Sequence, residues 1–258
     1  GLGDVYKRQQ DDLAVSHKKL GKVLREHGDN VGALAEYQAA RAIGRRLVAK
    51  DPRNSRWQRG LWMSHVRVGE VLSAQGDLEG GLGEYLAARA IATRLVELDP
   101  DNVGWQRDLS LSHVKVGGSL EAKGELAGAL AELEAGNAIV DRLAASNPQN
   151  PVWQRRLANS NLLLGGLLQR MAEPGAAREH LARATAIYGR TAVTSTDLYN
   201  AACAHALSGD PDKAFEMLDN AVVKGFRVYG HAAKDSTLSS LRTDRRWKPL
   251  LERMKAKD

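Results

Sequence analysis

The sequence predicts an all-α array of stacked antiparallel helix pairs, and three observations carry that expectation. First, Trp57-Gln58-Arg59 returns 48 residues on as Trp105-Gln106-Arg107 and again as Trp153-Gln154-Arg155. Leu13, Leu61, Leu109 and Leu157 keep the same step, as do Ser16, Ser64, Ser112 and Ser160, and Gly21, Gly69, Gly117 and Gly165. A step held at many positions without slippage is the mark of a repeat architecture. Second, the apolar residues inside each repeat fall at helical spacing. Third, there is no strand-like alternation, and glycine, proline and aspartate punctuate the chain at regular intervals.

Each element follows from its own residues. From Trp57, the stripe Leu61, Val68 and Leu72, with small Ser64 between, describes one face of a helix. It stops at Gly76-Asp77, where glycine supplies the left-handed turn and aspartate the next N-cap. Leu78, Leu82, Tyr85, Ala88, Ile91 and Leu95 form the second stripe, which ends at Asp99-Pro100 because proline cannot continue a helix. Asn102 is placed to cap the helix that follows. Two helices of about 20 residues per repeat result, and one pair alone cannot bury both its faces. Neighbouring pairs must therefore stack.

Four long repeats are expected over 10–54, 55–102, 103–150 and 151–196. The fourth is degenerate: Gly28, Gly76 and Gly124 give way to Ala172. A shorter pair follows within 197–258. Its helices fall at Leu198–Leu207 and Lys213–Val222, with Gly209-Asp210-Pro211 as the turn. A helical cap then begins at Asp235. Asp235 and Asp244 are candidate N-caps there, and Leu238, Leu241, Trp247, Leu250 and Leu251 are candidates to cover the last apolar face. Residues 1–9 do not match the repeat and resemble a translated sequencing adaptor. The register resumes at Gln10, so the natural protein is expected to extend further N-terminally.

The unit resembles the tetratricopeptide repeat. The resemblance rests on Val68-Gly69, Leu72, Gly76, Gly81, Tyr85 and Ala88, and in the first repeat on Leu20-Gly21, Leu24, Gly28, Ala33, Tyr37 and Ala40. It covers nearly the whole chain from Gln10. The family's usual period is about 34 residues, so these repeats carry roughly two extra turns per helix pair member shared between them. The family's first aromatic position falls on His17, His65 and His113, and on Asn161 in the fourth repeat. The resemblance implies a right-handed superhelical solenoid whose first helices line a concave groove for an extended peptide or a partner helix. Carried onto this chain, the groove candidates are Lys18, Lys19, Lys22 and Arg25, then Arg67 and Glu70, then Lys115 and Glu121, then Gln169 and Arg170. Lys19, Arg67 and Lys115 are equivalent positions and would form a basic column favouring an acidic peptide or protein surface. The asparagines that accompany lysines in the family's dicarboxylate clamp are not found, so a chaperone tail is not the expected ligand.

Other chemistry is disfavoured. The histidine column invites a metal reading, but equivalent residues of adjacent repeats lie about 8–10 Å apart, and zinc needs its nitrogens near 2.0–2.1 Å. A packing and hydrogen-bonding role is expected instead. Trp57, Trp105 and Trp153 share a stripe with leucines four residues on and are expected in inter-helix core rather than as a stacking ladder for bases. Cys203, the sole cysteine, sits in an alanine-rich helix and reads as a buried small residue; it precludes an intramolecular disulfide and fits a reducing compartment. Gly80-Gly81-Leu82-Gly83 lacks the lysine and hydroxyl of a phosphate loop. Acidic side chains are expected on solvent faces. No catalytic residue, cofactor or metal is assigned.

The net charge is +6, with 31 acidic residues interspersed among 37 basic ones and no block of like charge. That disfavours nucleic acid, which prefers convergent cations. The longest apolar patch, at Leu162–Leu168, is far too short for a membrane span, and a cytoplasmic location is expected. The sequence thus points to a non-catalytic protein-binding scaffold, part of a larger bacterial protein. Two alternatives remain open: the sensing array of a signalling ATPase, kinase or protease-like protein, and a nucleic-acid-binding solenoid.

Overall fold

A computed structural model describes residues 2–255, with side chains from residue 5 onwards. Gly1 of the leader and residues 256–258 of the cap lie outside the described residues. Among the described residues there are twelve α-helices and one 3₁₀ helix, and no strand. The helices pair as the repeat requires. α1 (Leu2–Glu26) packs with α2 (Asn30–Lys50), α3 (Ser55–Ala74) with α4 (Leu78–Leu98), and α7 (Pro151–Arg170) with α8 (Pro174–Thr191). Between the last two pairs come α5 (Val103–Ala122) and α6 (Leu126–Ser146). α9 (Ser195–Leu207) and α10 (Pro211–Val223) form the short pair, followed by α11 (Tyr229–Lys234), the 3₁₀ helix Ser236–Leu241 and α12 (Trp247–Lys255). Two compact units are formed, residues 1–136 and 137–258, and their boundary falls within α6. The leader from Leu2 is continuous with α1.

The punctuation works as its chemistry demands. The side chains of Asp29 and Asp77 accept from the N–H groups of Gly32 and Gly80 at 2.8 Å, and those of Asn54 and Asn102 accept from Trp57 and Trp105 at 3.1 Å. Gly28, Gly76 and Gly124 turn with φ of 84°, 88° and 82°. Ala172 takes the same left-handed turn at φ 61°, so the degenerate fourth repeat keeps the loop without its glycine.

In the first unit the core lies both within each helix pair, as where Trp62 and Val66 of α3 meet Ala88 and Ala92 of α4, and between the second helix of one repeat and the first helix of the next. Ala33 and Tyr37 of α2 pack on Val68 and Val71 of α3. Leu82 and Tyr85 of α4 pack on Val116 of α5. In the second unit, Val140 and Ala144 meet Leu157 and Ala158, with Ala184, Ile187 and Tyr188 from α8. There Leu238, Leu241, Trp247, Leu250 and Leu251 join Leu198, Tyr199, Phe215 and Leu218 in one buried cluster. Asp235 caps the 3₁₀ helix through the Thr237 N–H at 2.9 Å and also accepts from the Tyr199 hydroxyl at 2.7 Å. Cys203 is buried, and burial followed by the Asp235 charge pushes its thiol up to about 12. At that value it is inert at neutral pH.

The Trp-Gln-Arg signature has a structural reason. Trp57 packs against Ala14, Ile43 and Leu47. Gln58 and Gln106 donate back to the Pro52 and Pro100 carbonyls. Arg59 reaches Asp108 of the next repeat at 2.6 Å.

The expectation that carboxylates stay on solvent faces fails. Asp108 is 1% exposed and is neutralised by Arg59 and Arg107. The histidines, expected to pack and hydrogen-bond, draw further carboxylates inward. His17, His65 and His113 each donate from Nδ1 to a glutamate 19 residues on, Glu36, Glu84 and Glu132, at 2.6, 2.7 and 2.8 Å. The previous repeat then supplies a guanidinium: Arg41 pairs with Glu84, and Arg89 with Glu132. In the fourth repeat the partners change places. Asn161 stands at the histidine position, His180 at the glutamate position, and His180 Nδ1 lies 2.8 Å from Asn161 Oδ1. Asn137, which replaces the arginine, accepts from the Asn161 amide at 3.5 Å.

Candidate functional site

The first helices of the first unit share one face, and a cleft of about 470 Å³ opens along it. Val15 and Lys18 of α1, Arg56, Arg59 and Met63 of α3, and Trp105 of α5 form its walls. Val15 and Met63 are repeat equivalents, whereas Lys18 lies almost a turn C-terminal to that position and Trp105 nearly two turns N-terminal to it, so the walls come from different turns of the repeat. Gly60 opens the floor. Its repeat equivalents are Asp12, Asp108 and Arg156, and a Cβ there would stand 3.7 Å from Lys18 Nζ. Trp105, expected in inter-helix core, is half-buried and turns part of its ring to this cleft.

The cations of the cleft differ in how far they are satisfied. Arg56 pairs with Asp11 at 2.8 Å and Arg59 with Asp108 at 2.6 Å. Lys18 is half-buried, and its ammonium meets the Gly60 carbonyl at 3.4 Å. Burial lowers the Lys18 pKa, and Asp11 only partly offsets that. A carboxylate entering the cleft would restore what burial removes from this ammonium.

A second feature occupies the C-terminal part of the same helices. Glu70 of α3 holds three cations from three successive repeats, Arg25 of α1, Arg67 of α3 and Lys115 of α5, each at 2.8 Å. Burial alone would raise the Glu70 carboxyl; the charge and hydrogen bond of Lys115, the hydrogen bond of Arg25 and the charge of Arg67 outweigh it and hold the carboxyl at about 2. Glu70 thus neutralises one of these three cations, leaving a surplus of two positive charges. Lys115 also lies over the Tyr85 ring at 5.9 Å.

The sequence-predicted residues divide accordingly. Lys18 lines the cleft, while Arg25, Arg67, Glu70 and Lys115 form the ion cluster. Lys19 is exposed, and Lys22 makes an exposed contact with Glu26 at 3.5 Å. Gln169 and Arg170 belong to the second unit. There Gln169 donates to the Leu207 carbonyl at 2.7 Å and lines a separate cleft of about 510 Å³ with Arg178, Thr185, His205 and Lys213. Arg170 is exposed and Glu121 half-buried. Sequence reasoning missed Arg56, Arg59 and Met63. Arg59 alone had a signal, as the arginine of the Trp-Gln-Arg step, while Arg56 and Met63 lie outside that motif. Among the described residues no group of three or more metal-ligating side chains is gathered, and no helix is long and apolar enough to cross a membrane.

No protein-family model and no curated protein sequence matches the chain. Solved structures do. The chain is similar to the apo form of RapI, at 14% identity over 94% of this chain and 84% of that one, with a TM-score of 0.65. It is similar to nearly identical TPR-like repeats of a Podosopora anserina protein assigned as a kinesin light chain, at 19% identity over 83% and 94%, with a TM-score of 0.53. It is also similar to the Rap conjugation gene regulator of the plasmid pLS20 in complex with the Phr* peptide, at 13% identity over 84% of this chain and 55% of that one, with a TM-score of 0.57. At these identities the likeness is one of fold. The fold is that of TPR-like helical repeats.

Proposed function

We propose that the chain is a non-catalytic scaffold that captures an extended protein segment in the first-helix cleft of its first unit. The observation that carries this reading is the cleft itself, where the apolar walls of Val15, Met63 and Trp105 stand beside Lys18, Arg56 and Arg59. Apolar walls with a few convergent polar groups are the usual make-up of a binding site. The segment that fits carries an aliphatic side chain for Met63 and Trp105 and a carboxylate for Lys18. The Glu70 cluster, with its surplus positive charge, extends the preference for acidic partners along the same helices. A structure of similar fold, the pLS20 regulator, holds the Phr* peptide, which supports peptide capture here.

A peptide display selection against the full chain tests the reading. Selected peptides are expected to combine acidic and aliphatic residues and to lose at least tenfold in affinity for a Met63→Asp variant. Peptides bound equally by that variant would place capture on another face.

A further inference from the structure

The turn inside each helix pair closes with the same bond. The N–H groups of Asp29, Asp77, Glu125, Glu173 and Asp210 donate to the carbonyls of Leu24, Leu72, Leu120, Leu168 and His205 at 2.9–3.0 Å. That bond sets the short pair in register with the four long repeats, although the 48-residue step does not reach it. In this register three positions depart from the repeat. His205 stands where each long repeat has leucine. Lys213 stands where they have Gly32, Gly80, Gly128 and Ala176. Arg178 stands where the first three repeats have Leu34, Leu82 and Leu130.

The three departures meet in one place. In the first unit these leucines close the junction between repeats: Leu34 of α2 and Leu72 of α3 pack on one buried cluster, and Leu82 of α4 and Leu120 of α5 on another. In the second unit the corresponding junction, between α8 and α9, carries Arg178 and His205 instead, and the cleft of about 510 Å³ opens there. Lys213 of α10 stands at its rim, and Leu181, Ala182 and Leu207 give it an apolar wall. Arg178 is exposed and has no ion pair among the described residues. Lys213 meets Asp210 at 3.5 Å, and Asp210 also lies 3.9 Å from His205 Nδ1. Burial lowers the His205 pKa; Asp210 and Glu216 partly offset that, and Lys213 adds to it. An anion seated among Arg178, His205 and Lys213 would favour the imidazolium and pair the guanidinium. A second negative charge on it would face Asp210, which selects a monoanion.

We infer that this cleft is a second binding site, for a small monocarboxylate with an apolar tail. The planar fork of Arg178 matches a carboxylate with two parallel hydrogen bonds, and His205 and Lys213 stand beside it. The tail lies along Leu181, Ala182 and Leu207. The volume falls in the range of small-molecule sites, and an apolar wall with a few placed polar groups is their usual make-up. The cleft belongs wholly to the second unit and its occupant is a small molecule, so this inference and the capture of a protein segment stand or fall independently.

Calorimetric titration of the full chain with sodium butyrate, hexanoate and octanoate tests the inference. Saturable binding is expected, tightening about fourfold for each added methylene until the apolar wall is covered. Arg178→Gln, at an exposed position, should weaken hexanoate binding at least tenfold with Tm unchanged. His205→Leu, which puts back the residue of the long repeats, should also weaken it. Lys18→Met, in the first unit, should leave it as it is. Absence of saturable binding by all three acids would overturn the inference, as would hexanoate binding that Arg178→Gln leaves intact. Hexan-1-ol binding as tightly as hexanoate would show that the cations recognise nothing. Inorganic phosphate or acetate binding as tightly as hexanoate would show a site for any anion, which equally contradicts it.

Discussion

The ring of Tyr85 fills the space that a Cβ on Gly69 would need, with Cε1 2.7 Å from that position. Tyr37 stands in the same relation to Gly21, also at 2.7 Å. These glycines bring the two helices of a repeat close enough for the tyrosine to lie flat between them. Gly69→Leu should therefore destabilise the chain by on the order of 1–3 kcal/mol through overpacking. Gly118, in the middle of α5 with no neighbour within 4 Å of its would-be Cβ, is the control. Gly118→Ala should stabilise by roughly 0.5–1 kcal/mol, because only the backbone freedom of the unfolded chain changes. Denaturant midpoints of the two variants check the contrast.

Glu84 joins two repeats through Arg41 on one side and His65 on the other. Glu84→Gln removes the charge and leaves one acceptor oxygen for a largely buried guanidinium and a buried imidazole. Glu84→Gln should cost about 2–3 kcal/mol. Glu36→Gln breaks only the His17 contact, whose partners are each about a quarter exposed, and should cost about 1 kcal/mol or less. Chemical denaturation measures both, and equal losses would show that the arginine adds nothing.

The Glu70 cluster makes stability depend on pH on the acid side. The carboxyl is held at about 2 against an ordinary value of 4.5, so the folded state binds its proton less readily than the unfolded chain. Its contribution is fully present above pH about 4.5 and is lost as pH falls from there towards 2. At about 1.36 kcal/mol per pH unit the contribution is roughly 3 kcal/mol, reduced to about 1–2 kcal/mol by solvent screening of the half-exposed Arg25 and Arg67. Glu70→Gln should thus lower Tm at pH 7, and the gap to the parent protein should close between pH 4.5 and 2. A gap that stays constant would show that the cluster is held by something other than this carboxylate.

Ala172 adopts a left-handed turn at φ 61° where earlier repeats use glycine. An L side chain pays roughly 1 kcal/mol for that conformation. Ala172→Gly should recover most of it as a higher thermal midpoint, and Gly76→Ala should lose a similar amount.

Much of the fold could be read from the sequence because stacking needs the same residue at the same step. Gly69, Asn102 and Asp77 each have one local job, and their types announce it. The burial of Leu238, Leu241, Trp247, Leu250 and Leu251 was legible from their apolar types. The polar core was not. Glu36, Glu84 and Glu132 repeat at the same 48-residue step as the histidines, but a glutamate on a helix reads as solvated until a partner 19 residues away is brought alongside. Asp108 is concealed in the same way, its partner Arg59 lying 49 residues back. At the site, Lys18 was legible as a first-helix cation. Its depth was not, because that depends on the missing side chain at Gly60, on the neighbouring helix.

The cleft between α1, α3 and α5 is proposed to hold an extended acidic segment. Hydrogen–deuterium exchange of the full chain, with and without a selected peptide, tests it most directly. Added protection should fall on residues 11–18, 55–63 and around Trp105, and Lys18→Met should weaken capture while leaving Tm unchanged or slightly raised, since it removes a desolvated charge. Protection confined to other helices, or capture unaffected by Lys18→Met, would contradict the claim.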